Sequence, residues 1–123
     1  MNFEVSKQDR FTLVTIKVDK LTGSVSPELK NLLTKIADEG ERNVVLDFSN
    51  TSFSDSSGLS AILVGNRRCK AANGSLVLCG IHDMVEKLIN LSQLHNILEI
   101  VPTLPEAQDV IYMNEIENDF DNE

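Results

Sequence analysis

One stretch restricts the possible fold more than any other: Val44-Val45-Leu46-Asp47-Phe48-Ser49, a nearly unbroken apolar run of strand length. A strand with apolar residues at successive positions has no face suited to water, so it is expected in the middle of a sheet with layers on both sides. The polar turn Asn50-Thr51-Ser52-Phe53 follows, then Ser54-Asp55-Ser56-Ser57-Gly58-Leu59, where capping residue types stand directly before a helical pattern over 57–73. Together these segments read as strand, loop and helix N-terminus. Backbone N–H groups at a helix start lack intrahelical partners and carry the positive end of the helix dipole, so an anionic group is stabilised there.

The flanking segments supply the rest of an α/β fold. Residues 3–6 and 11–18 are strand candidates, and Lys7-Gln8-Asp9-Arg10 between them suits a hairpin turn. A loop over 22–27 leads into a helix with Ser26 as N-cap, Pro27 at the first helical position and Glu28 in the first turn. Leu29, Leu32, Leu33 and Ile36 recur at helical spacing until Gly40. The helix over 57–73 stops at Asn73-Gly74, residues 76–81 make another strand, and Val85, Leu88, Ile89 and Leu91 mark a third helix. Residues 96–101 form a last short strand and 105–113 a last helix. Strands alternating with helices predict an α/β sheet, with mixed pairing because the first two strands form a hairpin. From Asn114 onward Glu115, Glu117, Asp119, Asp121 and Glu123 stand without a basic residue, so 114–123 is expected to be a mobile acidic tail after a single domain over 1–113.

Charge and motif content exclude several function classes. The 123 residues suffice for one core, and a net charge of −8 argues against nucleic acid or an anionic membrane as the main partner. No apolar run approaches the roughly 20 residues of a membrane span, and Met1-Asn2-Phe3-Glu4 lacks the character of a signal peptide, so a cytoplasmic location is expected. Cys69 and Cys79 fall among apolar residues as small reduced hydrophobes. With His82 and His95 they lack the paired spacings of a zinc site, and no phosphate-binding Gly-x-x-x-x-Gly-Lys loop occurs. A nucleophile elbow needs Gly-x-Ser-x-Gly, whereas Ser54 precedes Ser56 by two and Asp55 precedes Ser57 by two. A non-enzymatic protein without metal or cofactor is expected.

Two readings stay open for the helix start. Asp55, Ser56 and Ser57 can be capping residues alone. Placing residues at 100° intervals puts Gly58, Ile62, Gly65, Cys69 and Ala72 on one side, small enough to lie close on a sheet, and Ser56, Ser60, Leu63, Val64 and Arg67 on the other. Two aliphatic side chains beyond a pair of serines suggest a docking surface, although single exposed Leu or Val residues are ordinary on monomers.

The strand 44–48, the hinge Phe53-Ser54-Asp55-Ser56-Ser57-Gly58-Leu59 and the strand 76–81 resemble the STAS domain, and within it the bacterial anti-sigma factor antagonist family. The correspondence runs from about residue 3 to 113. The resemblance implies a mixed four- to five-stranded sheet with about four helices packed on it. It further implies one phosphorylatable serine directly after the motif aspartate, here Ser56 after Asp55, with Ser57 the lesser candidate. Such a protein binds an anti-sigma factor kinase when unphosphorylated, freeing the sigma factor for transcription, and is released when the kinase phosphorylates it. A PP2C-type phosphatase resets it. Asp55, Ser56, Ser57, Gly58, Ser60, Leu63, Val64, Arg67 and the nearby Thr22 are then the partner-binding residues. Where the family often has Gly-x-Leu-Asp after the second strand, this chain has Asp19-Lys20-Leu21-Thr22. STAS domains also serve in membrane transport and stress-signalling assemblies, and in that alternative Ser56 only caps its helix.

Overall fold

The computed structural model describes residues 1–121. Its elements in chain order are β1 (Phe3–Lys7), β2 (Thr12–Ile16), β3 (Lys20–Leu21), α1 (Ser26–Asp38), β4 (Val44–Asp47), β5 (Phe53–Ser54), α2 (Ser56–Ala71), β6 (Leu76–Cys79), α3 (Asp83–Leu91), β7 (Glu99–Val101) and α4 (Leu104–Asp121). β1 and β2 form the expected antiparallel hairpin, and β2, β4, β6 and β7 pair in parallel to give a five-stranded mixed sheet ordered β1-β2-β4-β6-β7. β4 is therefore the central strand. Its apolar continuity has the expected cause, since alternate side chains serve different layers. Leu46, with Val14, Ile16, Leu76 and Leu78, packs against Leu29, Leu33 and Ile36 of α1, Ile62 and Cys69 of α2, and Val85 and Ile89 of α3. Val45, Val77 and Cys79 face the other way, onto Ala107 and Ile111 of α4 and Phe11.

Helix α2 lies close on α1 and the sheet at a glycine: a Cβ at Gly65 would come within 2.7 Å of Leu33 Cδ1 in α1 and 3.0 Å of Leu76 Cδ1 in β6. Burial of Gly58, Ile62, Gly65 and Cys69 follows the expected phase, but Ala72 is exposed, and Leu59, Ala61 and Asn66 are buried as well. At the start of α1 the cap differs from expectation. Val25 occupies the cap without a side-chain bond, and Ser26 is already helical, its Oγ donating to the Thr22 carbonyl at 2.9 Å.

The largest departure concerns the C-terminus. Residues 114–121, expected as a mobile tail, continue α4, and the boundary drawn at 113 falls inside that helix. Composition suggested disorder because Glu115, Glu117, Asp119, Asp121 and Glu123 stand without a basic residue, but the inward positions find specific partners. Asn114 Nδ2 donates to Ser75 Oγ at 2.9 Å and Glu99 Oε1 at 3.1 Å, Glu115 pairs with Arg42 and accepts from Asn43 Nδ2 at 3.0 Å, and Asn118 Nδ2 donates to the Asn73 carbonyl at 2.7 Å. Charge-assisted and amide hydrogen bonds thus hold the last turns where apolar burial ends. Asn122 and Glu123 lie outside the described residues.

Candidate functional site

The short parallel pairing of β3 with β5 draws the α2 N-terminus to the loop entering α1. Lys20 faces Phe53 and Leu21 faces Ser54 in this ladder, the Ser52 N–H donates to the Asp19 carbonyl at 2.8 Å, and the Asp55 N–H donates to the Leu21 carbonyl at 3.1 Å. Asp55 is the N-cap of α2. Its Oδ1 accepts from the Ser57 N–H at 2.9 Å, the Gly58 N–H at 3.3 Å and the Ser57 hydroxyl, while Oδ2 accepts from the Gly23 N–H at 3.1 Å. One carboxylate therefore satisfies orphan donors at the helix start and ties the 22–23 turn to it. The Ser57 hydroxyl, followed by the backbone N–H groups, holds the Asp55 carboxyl below the usual carboxylate value against the opposing effect of desolvation.

The two serines differ in environment. Ser57 is half-buried, donates its hydroxyl to Asp55 and lies 2.8 Å from Ser26 Oγ. Ser56, the first helical residue, is exposed, and its hydroxyl has no hydrogen-bond partner among the described residues. Gly58 is buried where only a hydrogen fits, since a Cβ there would stand 2.2 Å from Ser54 Oγ and 3.0 Å from Leu21 Cδ2. An open groove of about 300 Å³ runs beside this point, between Pro27 and Lys30 of α1 and Ser57, Ser60 and Ala61 of α2.

Of the residues expected to bind a partner, Asp55, Ser57, Gly58 and Thr22 converge on the cap, whereas Ser56, Ser60 and Arg67 form an exposed stripe along α2. Arg67 stands roughly 16 Å from Ser56 along the axis at 1.5 Å per residue. Leu63 and Val64, expected to be exposed, are half-buried, and Leu63 packs against the main core. The helical phase read from the sequence had no knowledge of where α1 covers α2. Sequence reasoning missed Gly23, Ser26 and Lys30 as neighbours of the site; the Ser26-Pro27 pair carried only a capping signal. Among the described residues no group of three His, Cys, Asp or Glu side chains could hold a metal ion, and no helix is long and apolar enough to cross a membrane.

This arrangement, a capped helix start presenting one free hydroxyl above a five-stranded mixed sheet, coincides with a family match. Residues 2–107 match the STAS domain. The chain belongs to the STAS domain family. It is 28% identical over 101 residues to an anti-sigma-B factor antagonist of Staphylococcus aureus (strain NCTC 8325 / PS 47), covering 81% of this chain and 92% of that relative. Among solved structures, an anti-sigma-factor antagonist (STAS) domain protein from Planctomyces limnophilus superposes with a TM-score of 0.82 at 15% identity, covering 89% of this chain and 97% of the other. The Bacillus cell fate determinant SpoIIAA in its phosphorylated form gives 0.69 at 21% identity, covering 89% and 98%. At these identities the solved structures show that this STAS domain shares their fold.

The cap makes a direct prediction for the STAS domain. Asp55→Ala should lower stability at pH 7 by about 0.5 to 2 kcal/mol, the usual cost of losing a side-chain N-cap. Because the folded-state pKa of Asp55 is depressed, its contribution is present above the unfolded value of about 3.9 and is lost as pH falls through the lower folded value. Urea denaturation at a series of pH values should show the difference between variant and wild type narrowing below about pH 4.

Proposed function

We propose that this STAS domain is a cytoplasmic, non-enzymatic binding switch of the anti-sigma factor antagonist type. Unphosphorylated, it engages an anti-sigma factor kinase through the start and exposed stripe of α2; phosphorylation of Ser56 by that kinase releases it, and a PP2C-type phosphatase restores it. The observation that carries this reading is the contrast between the serines. Ser57 is occupied in the cap, while Ser56 is exposed with an unpartnered hydroxyl at the positive end of a helix. A kinase can reach that hydroxyl without unmaking the cap, and the positive end of the helix dipole favours the phosphate there. Similarity to the staphylococcal antagonist supports the choice of pathway. The charged residues of α2 are all basic, and Arg67 is exposed with no ion pair among the described residues, so the stripe suits an acidic surface on the kinase.

Intact-mass analysis of the protein purified from its own cells, with site mapping, tests the reading. A gain of about 80 Da located on Ser56 is the expected result. Modification on Ser57 alone would overturn the assignment of the site, and Ser56 unmodified in a chain that co-purifies with a transport complex would favour the structural-subunit alternative. Arg67→Glu serves as the binding probe on α2, expected to weaken kinase association while leaving the melting temperature within a degree or two, since exposed substitutions stay within about 0.5 kcal/mol. Leu63→Asp is less suitable, because it would place a charge against the core.

A further inference from the structure

Helix α4 covers its face of the sheet alone, and its outer side mixes exposed apolar and acidic side chains. Tyr112, Met113 and Ile116 are 39%, 58% and 51% exposed. At spacings of three and four residues they adjoin one another on the surface opposite the buried Ala107 and Ile111. Three large apolar side chains together on one helix face exceed the scattered exposure usual on a monomer. This segment also lies beyond residue 107, where the STAS match ends.

The charge around the stripe says what could cover it. From Leu104 to Asp121 the helix carries Glu106, Asp109, Glu115, Glu117, Asp119 and Asp121 and no basic residue. Arg42 neutralises Glu115, while exposed Asp109, Glu117 and Asp119 have no ion pair among the described residues. Acidic side chains in the last turns also oppose the helix dipole, whose C-terminal end is negative. A cation is already seated beside the stripe, where the Arg10 guanidinium lies 5.9 Å from the Tyr112 ring centroid. A second copy of the same helix would bring like charges together, and an anionic bilayer would be repelled for the same reason.

We propose that the outer face of α4 is a second docking surface, across the sheet from Ser56, for a basic amphipathic helix of a partner protein. Leucine-like side chains of that helix would cover Met113 and Ile116, and its flanking lysines or arginines would meet Asp109, Glu117 and Asp119. The surface is independent of Ser56, so it can be occupied whether or not that serine is modified.

The probe is a fluorescently labelled peptide of leucine and lysine patterned as an amphipathic helix, titrated with the whole chain and followed by anisotropy. Binding to wild type is expected, weakened at least about tenfold by the double substitution Met113→Ser and Ile116→Ser. Asp109→Asn with Glu117→Gln should weaken it several-fold and flatten its dependence on salt. Glu86→Gln, which removes one carboxylate charge from α3 on the opposite sheet face, should leave it unchanged, as should phosphorylation of Ser56. Circular dichroism checks folding, and if the serine pair unfolds, the carboxylate pair still decides. Absence of binding, or equal binding by wild type and both double variants, would overturn the proposal, as would self-association of wild type that the Ile116 substitution abolishes.

Discussion

Phosphorylation of Ser56, or Ser56→Asp, is expected to lower affinity for the anti-sigma factor kinase at least about tenfold, roughly 1.4 kcal/mol, with an almost unchanged melting temperature. Phosphoserine carries about −1.5 to −2 charges at pH 7, and a helix N-terminus stabilises such charge by about 0.3 to 1 kcal/mol. In the free protein position 56 is exposed, so the dianion remains in water and the fold bears no desolvation cost. A partner packed over Ser56 and Ser60 must strip that water, which costs several kcal/mol unless it supplies a matched cation. Ser56→Ala should bind as wild type does and become insensitive to the kinase. Ser57→Ala separates site from scaffold. It removes a hydroxyl bonded to Asp55 and should cost about 1 kcal/mol of stability while leaving Ser56 phosphorylation intact. Calorimetric titration with thermal melts on these forms decides the matter, and equal affinity of phosphorylated and unmodified protein would refute the switch without touching the fold.

Gly74→Ala should be the most destabilising single methyl in the chain, costing about 3 kcal/mol or more. The turn after α2 brings Gly74 so close to Arg42 that a Cβ would lie 1.8 Å from its carbonyl oxygen and 2.4 Å from its carbonyl carbon. Both atoms are backbone, so no rotamer change relieves the overlap. Displacing Arg42 would disturb its pairing with Glu115 and the adjacent Asn43, whose Oδ1 accepts from the Ser75 N–H at 2.9 Å at the start of β6. Gly40 provides the contrast: its φ of +92° favours glycine, but a Cβ there would meet nothing within 4 Å. Gly40→Ala should therefore cost only about 1 kcal/mol, from backbone strain alone. Urea denaturation of the two variants measures the gap, and a Gly74 variant as stable as the Gly40 variant would show that the 72–75 turn adapts.

Much of the architecture is legible before any coordinates, because its determinants act within a few residues of one another. The nearly unbroken apolar run at 44–48 announces a strand covered on both faces, the Lys7-Gln8-Asp9-Arg10 turn announces a hairpin, and Asp55 before Ser56-Ser57-Gly58 announces a helix start. Each is a period, a turn or a cap, and each survives in the fold as β4, the β1–β2 pair and the N-terminus of α2. The STAS resemblance rests on the same local strings. Tertiary structure decided what surrounds the two adjacent serines. Asp55 would cap α2 by itself, but Ser26 and Gly23, more than thirty residues earlier, complete the cluster that engages Ser57 and leaves Ser56 to solvent. The tail shows the same division: its acidic composition reads as disorder until Asn43, Ser75 and Glu99 are brought beneath Asn114 and Glu115. Half-burial of Leu63 likewise depends on what the fold packs against α2, which a helical wheel does not contain. Periodicity and capping are properties of one segment, whereas the exposure of a side chain depends on which distant segments the closed sheet places against it.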